Sequence, residues 1–259
     1  MKNTALVTGA SGGIGRELAR VHAEHHGDLV VVARSGDALR ELKGELENAH
    51  GITVEVLEKD LNDPEAPKEI LEALRDKNIE VEILINNAGF GTFAPFIRTD
   101  WDKQAAIIAV NIHALTGLTH SFLPGMIERN RGRVLNVAST AAFYPGPLMS
   151  VYYASKHYVL AFSDSLAEEI RNSEVTITTL CPGPTDTGFQ RRAGNENIRL
   201  MKKFAVMDPY SVAKYGYQKM LAGKLVAVPG LFNKLSAVLP RFLPRKAAMR
   251  IVRRQHEEE

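Results

Sequence analysis

Thr8-Gly9-Ala10-Ser11-Gly12-Gly13-Ile14-Gly15 is the stretch whose reading decides the fold. It follows a β-rich run, Ala5–Thr8, and leads into a helical pattern over residues 14–26. Glycine lets the backbone take positive φ and approach a ligand closely. The N-terminus of the following helix offers free N–H groups and positive potential to a pyrophosphate. Four glycines in seven residues are more than an ordinary strand–helix turn requires. The spacing is G-x-x-x-G-x-G, not the commoner G-x-G-x-x-G of dinucleotide folds. Its place between a strand and a helix makes it a nucleotide-loop candidate all the same.

The alternation continues outward from this loop. Strands are predicted over Ala5–Thr8, Leu29–Ala33, Thr53–Leu57, Ile83–Asn86, Arg133–Val137, Thr176–Cys181 and Leu225–Val228. Helices are predicted over 14–26, 37–50, 64–76, 100–129, 151–172 and 209–222. Strands that alternate with helices make βαβ units and a parallel sheet. The strands are continuously apolar, as expected when both faces are covered. The expected fold is α/β: one Rossmann-type doubly wound domain, a seven-stranded, mostly parallel sheet with helices on both faces. Asp63-Pro64 reads as a cap with proline in the first turn, and Thr99-Asp100-Trp101-Asp102 as a capping box. Residues 1–229 form the expected catalytic unit, with a substrate loop at about 184–207 and a basic helical extension over 230–259.

Bulk properties narrow the function. The chain has 259 residues, 45% hydrophobic and 24% charged, ordinary values for a globular protein. A net charge of +2 gives no reason to expect a nucleic-acid partner. The single cysteine, Cys181, rules out an intrachain disulfide and a thiolate cluster, and it reads as a small buried filler. No Cys/His ligand cluster is evident, so no metal is expected. No secretory pattern opens the chain and no window of about 18 uninterrupted apolar residues occurs, so the expected compartment is the cytoplasm.

The chemistry is written in the second half. Tyr152 and Lys156 stand four residues apart in a predicted helix and so share one face. Ser139 lies thirteen residues upstream of Tyr152. A phenol and an ammonium on one face can move a proton together. Asn111, flanked by Val110 and Ile112, fits poorly in a plain helix interior. At the end of the second strand, Arg34 stands where an acid would accept bonds from the ribose of NAD. A guanidinium suits a phosphate, which favours NADP(H). NAD(H) remains possible, with Arg34 merely solvated and Asp37 holding the ribose.

Four motifs in order make the chain resemble the classical short-chain dehydrogenase/reductase family. They are Thr8–Gly15, Asn86-Asn87-Ala88-Gly89, Ser139 with Tyr152-x-x-x-Lys156, and Pro182-Gly183-x-x-x-Thr187. The resemblance covers about residues 3–228. It implies a phosphate loop of Gly9, Ser11, Gly13, Ile14 and Gly15, and adenine contacts from Asp60 and Leu61. It further implies that Asn87, Ala88 and Gly89 line the adenosine ribose, and that Pro182, Gly183 and Thr187 touch the nicotinamide side. Hydride would pass between nicotinamide and a carbonyl carbon or secondary alcohol. Tyr152 would be the acid/base, its pKa lowered by the Lys156 ammonium. By resemblance Lys156 also holds the nicotinamide ribose. Ser139 would fix the carbonyl oxygen, and Asn111 would hold a water linking Lys156 to solvent. The competing class is a cofactor-sensing protein of the same fold, which would have no need of all four residues. An extended-branch epimerase or dehydratase fits neither the length nor the glycine spacing.

The remaining features bear on substrate and partners. Phe90, Phe143, Tyr144, Leu148 and Met149 are candidate apolar pocket walls, and Tyr153 is packing or wall. His157 is assigned no role, and His22, His25 and His26 are read as surface residues. The loop 184–207 holds Phe189, Leu200, Met201 and Phe204 with five basic and two acidic residues. It reads either as contacts for an anionic substrate such as an acyl thioester or as a solvated lid. Between Lys224 and Arg254 there are eight basic residues and no acid. With Leu231, Leu235, Val238 and Phe242 at helical spacing, this segment either packs on the domain or another subunit, or touches an anionic membrane. The family pattern implies a homodimer or homotetramer formed through the helices at 100–129 and 151–172.

Overall fold

The computed structural model describes residues 3–194, 206–242 and 244–256. Seven strands form one sheet: β1 Ala5–Thr8, β2 Leu29–Ala33, β3 Val54–Glu58, β4 Ile83–Asn86, β5 Arg133–Val137, β6 Thr176–Leu180 and β7 Val226–Ala227. Their spatial order is β3-β2-β1-β4-β5-β6-β7. Every pairing is parallel, so the expected "mostly parallel" sheet is wholly parallel among the described residues. The order reverses between β1 and β4, where Val7 stands beside Ile85. Ligands of open parallel sheets bind outside the strand ends at such a reversal.

The helices are α1 Gly13–Glu24, α2 Gly36–His50, α3 Ala66–Asp76, α4 Trp101–Ile108, α5 Leu115–Glu128, α6 Ser150–Glu169, α7 Phe189–Ala193, α8 Pro209–Leu221, α9 Leu231–Val238 and α10 Arg245–Gln255. Alternate strand residues feed two cores, since successive side chains point to opposite faces. Ala5, Val7, Val31 and Ile85 pack with Leu18 of α1, Leu42 of α2 and Tyr217 of α8. Leu6, Val30, Leu84 and Val134 pack with Ile70 of α3 and Phe122 and Met126 of α5.

Several local readings change. Asp63 accepts from the Glu65 backbone ahead of α3, and the proline in the first turn is Pro67, not Pro64. Asp100, not Thr99, caps α4 by accepting from the Asp102 N–H at 2.9 Å. The predicted helix 100–129 is broken by a π-helical turn, Ala109–Ala114. By length and composition the run Trp101–Glu128 could cross a membrane. Here Leu118, Phe122 and Met126 from that run fill the core beneath the sheet, which accounts for its apolarity. His22 is not a surface residue. It is fully buried, with Nδ1 2.8 Å from the Tyr217 hydroxyl and Nε2 2.9 Å from the Asn3 carbonyl. His25 and His26 are exposed.

Candidate active site

One cavity of about 1110 Å³ runs along the strand ends, from Arg34 and Asp60 to Tyr152 and Lys156. At its near end the glycine loop packs too closely on its neighbours for side chains at Gly9 and Gly15. Gly9 has φ +67°, and a Cβ there would sit 2.9 Å from Asn87 Nδ2. Gly15 lies behind the wall, where a Cβ would come within 2.4 Å of the Gly9 carbonyl oxygen. Gly9, Ser11, Gly13 and Ile14 face the cavity. The N-cap of α1 is Gly12, with no capping side chain, and its first turn carries no acid. Those N–H groups and the positive helix end are therefore open to an anion.

The Asn86–Gly89 motif does two jobs. Thr8 Oγ1 accepts from the backbone N–H groups of Asn87 and Ala88 at 2.9 and 3.0 Å. Asn87 Nδ2 donates to the Thr8 carbonyl at 2.9 Å. The Asn87 amide thus holds the glycine loop against β4, while Asn87, Ala88 and Gly89 also line the cavity. Asn86 points into the interior and donates to Asn136 Oδ1 at 2.9 Å and Thr119 Oγ1 at 3.1 Å. Asn136 passes the chain to Ser163 at 2.8 Å. This buried ladder joins β4, β5 and α6 beneath the site.

Arg34 lines the cavity together with Ala33, Ser35, Asp60 and Leu61. Asp37 does not line it; its carboxylate pairs with Arg40 at 2.7 Å. Asp60 accepts from the Asn62 N–H at 3.0 Å.

At the far end, Tyr152 sits in the first turn of α6 and Lys156 one turn on. Lys156 is nearly fully buried and donates to the Val137 carbonyl at 2.8 Å, with Nζ 5.8 Å from the Tyr152 ring centre. Burial holds its ammonium down at about 8. Burial pushes the Tyr152 phenol up to about 12, while the Ser139 hydroxyl beside it pulls the other way. The expected depression of Tyr152 by Lys156 is thus reversed: loss of hydration disfavours the phenolate more than its neighbours favour it. Ser139, two residues past β5, caps a short 3-10 turn, Thr140–Phe143, accepting from the Ala141 N–H at 3.1 Å.

Asn111 does not line the cavity; it lies one layer behind, in the π-helical turn. Its amide accepts from the Phe90 N–H at 3.1 Å and donates to the Phe90 carbonyl and to Ser155 Oγ, each at 3.0 Å. Ser155 in turn donates to the Tyr152 carbonyl at 2.7 Å. The amide thus ties the loop after β4 to α6. A Cβ on Gly89 would be 3.1 Å from Asn111 Oδ1 and 3.3 Å from Lys156 Nζ, which shows how closely these two flank it.

The segment after β6 covers the cavity. Pro182, Gly183 and Thr187 line it, and a Cβ on Gly13 would meet the Thr187 side chain at 2.8 Å. Phe189 of α7 lies 5.2 Å from Tyr152, ring centre to ring centre. Leu200, Met201 and Phe204 lie outside the described residues. Of the expected walls, Phe90, Tyr144 and Met149 line the cavity. Phe143 instead packs in the cluster around Cys181. Leu148 takes a left-handed φ of 72°, and its carbonyl accepts from the Ala94 N–H. Cys181 is fully buried, and burial pushes its thiol up to about 12.

His256 was not anticipated. It arrives from the end of α10, is buried, and lines the cavity. Its Nδ1 is 2.7 Å from the Pro147 carbonyl, which can only accept, so Nδ1 carries the proton. Nε2, 3.0 Å from Tyr153, then accepts from the phenol. No spacing rule in the sequence points to this pair, 103 residues apart.

The residues at hand fit a nicotinamide dinucleotide: a glycine cradle at an uncapped helix end, an elongated cavity, and a Tyr–Lys pair beyond. Comparison with known proteins agrees. The family profile described as "short chain dehydrogenase" matches residues 3–197. A very-long-chain 3-oxoacyl-CoA reductase of Laccaria bicolor is 33% identical over 180 residues, 68% of this chain but 53% of that protein. This chain thus spans about half the length of that relative. The 17-beta-hydroxysteroid dehydrogenase type 3 of Mus musculus is 31% identical over 94% of this chain and 81% of its own. A short-chain dehydrogenase from Sphingobium yanoikuyae, solved in complex with NADPH, superposes with a TM-score of 0.81 at 30% identity, over 93% of this chain and 91% of that one. With motif order, sheet topology and profile in agreement, the chain belongs to the short chain dehydrogenase family.

Proposed function

We propose that this protein is an NADP(H)-dependent oxidoreductase acting on an apolar ketone, aldehyde or the matching secondary alcohol. The observation that carries the reading is the continuous cavity with Arg34 and the glycine loop at one end and Tyr152 with Lys156 at the other. When bound, the nicotinamide supplies or takes the hydride. Ser139 donates a hydrogen bond to the substrate oxygen and fixes it beside the phenol. Tyr152, held neutral by burial, gives its proton to that oxygen as negative charge gathers there. The Lys156 ammonium, anchored at Val137, faces the phenolate left behind and stabilises it. Asn111 keeps Phe90 and α6 in register. Arg34 supports NADP(H): it lines the cavity and forms no ion pair among the described residues, whereas Asp37 is paired elsewhere. Phe90, Met149 and Phe189 make the reacting end largely apolar. The 3-oxoacyl thioester and steroid substrates named for the relatives belong to this class. We place self-association on the outer faces of α4–α6, where Trp101, Ile108 and Tyr158 are exposed.

The test is oxidation of NADPH against NADH across ketones, aldehydes and 3-ketoacyl thioesters. NADPH-preferring turnover that Tyr152→Phe abolishes is expected. Full turnover in that variant would sink the mechanism, and equal use of the two cofactors would remove the role of Arg34.

A further inference from the structure

Helix α9 is amphipathic the wrong way round for a protein surrounded by water. Its anchored side is small or polar: Ala237 is buried, and Asn233 Nδ2 donates to the Pro229 carbonyl at 2.8 Å. Its large apolar residues are left exposed. Leu231, Leu235 and Val238 follow one another on one face, and Leu239 and Phe242 extend that face into the next turn. Leu231 is 75%, Leu235 61% and Phe242 79% exposed. Contiguous apolar surface of this kind marks an interaction site.

Helix α10 continues the surface with charge. Ala248, Val252 and His256 turn inward. Arg245, Lys246, Arg250, Arg253 and Arg254 are exposed, as is Lys234 of α9. None of these six forms an ion pair among the described residues. No acid occurs between Lys224 and Arg254.

We infer that α9 and α10 dock the protein on an anionic lipid bilayer. The apolar face would enter the boundary between headgroups and acyl chains, and the cations would lie against lipid phosphates and carboxylates. Charge decides between occupants. A two-fold pairing with a second copy would set these cations against themselves. A nucleic acid would satisfy the charge and leave Leu231, Leu235 and Phe242 without a partner. An anionic bilayer satisfies both parts. Leu235, Val238, Leu239 and Phe242 also line the cavity that runs to Tyr152, so the docked protein would bring its pocket next to lipid.

The test is co-sedimentation of the full chain with phosphatidylcholine vesicles, with and without 30% phosphatidylglycerol (about a third anionic, the regime in which basic segments bind). The expected result is pelleting with the anionic vesicles only, weakened at least tenfold by Leu231→Glu and by Arg250→Glu/Arg253→Glu. None of these positions lines the catalytic cavity, so the melting temperature and NADPH binding should be unchanged and serve as folding controls. Three results would overturn the inference: no pelleting with anionic vesicles, equal pelleting of wild type and folded variants, or equal binding to neutral lipid. Sedimentation equilibrium covers the remaining partner: if Leu231→Glu halves the mass and vesicle binding is absent, the face joins two copies instead.

Discussion

Tyr152 is a neutral phenol at every physiological pH, because burial raises it to about 12. The protein therefore holds the proton that the proposed carbonyl reduction would consume. Lys156, at about 8, is protonated at neutral pH and loses its charge above that. The signs follow directly. Reductive turnover should be flat from about pH 6 to 7.5 and fall above about pH 8, as the cation that stabilises the phenolate disappears. Alcohol oxidation needs the phenolate beside the Lys156 ammonium and should rise with pH and level off above about pH 8, where that charge is lost; initial rates in both directions across pH 6–10 measure this. Tyr152→Phe should lower kcat by about 10²–10⁴-fold, the usual contribution of a positioned acid, with NADPH binding kept. At the other end of the cavity, Arg34→Ala should cut the preference for NADPH over NADH by about 10–100-fold, as loss of a charge-assisted contact does. Competitive fluorescence titration of the two cofactors reads that ratio.

At the scale of elements, the joint between α4 and α5 matters most. The π-helical turn Ala109–Ala114 carries Asn111 toward the Phe90 loop and Ser155. Such turns recur at functional sites because one extra residue re-aims a side chain without ending the helix. Asn111→Ala would leave the half-buried Phe90 N–H and carbonyl and the Ser155 hydroxyl without this partner. A loss of about 1–3 kcal/mol of stability is expected, read as a shift in the urea midpoint without change of m. Asn111→Asp should recover part of it, since the carboxylate can still accept from Phe90. The sequence signalled this residue only as a misfit among apolar neighbours. It could not signal the turn, because the partners that reward it come from elements 21 and 44 residues away.

At the scale of the whole molecule, two buried histidines lock distant segments in place. His22 on α1 ties the first residues to Tyr217 of α8, and His256 ties the end of α10 to Tyr153, next to Tyr152. Burial lowers the pKa of both below the usual 6.5. The folded state then binds fewer protons than the unfolded one between the lowered values and 6.5. Stability is accordingly full above about pH 6.5 and lost as pH falls through that window. Hydrogen exchange at pH 7.5 and 5.5 should show α10 opening preferentially in acid, and His256→Phe should remove that pH dependence. Strands, helices, the glycine loop and the Tyr152–Lys156 face were legible in the sequence. Each depends on residues within a turn or a strand of one another, and that is where spacing carries information. What only the tertiary structure decided lies across long separations. It buried His22 and His256, turned the Asn111 amide to Phe90, paired Asp37 away from the cavity, and raised Tyr152 instead of lowering it. These outcomes depend on which groups lose water and which carbonyls lie opposite them, and both are set only when the sheet and its covering helices close together.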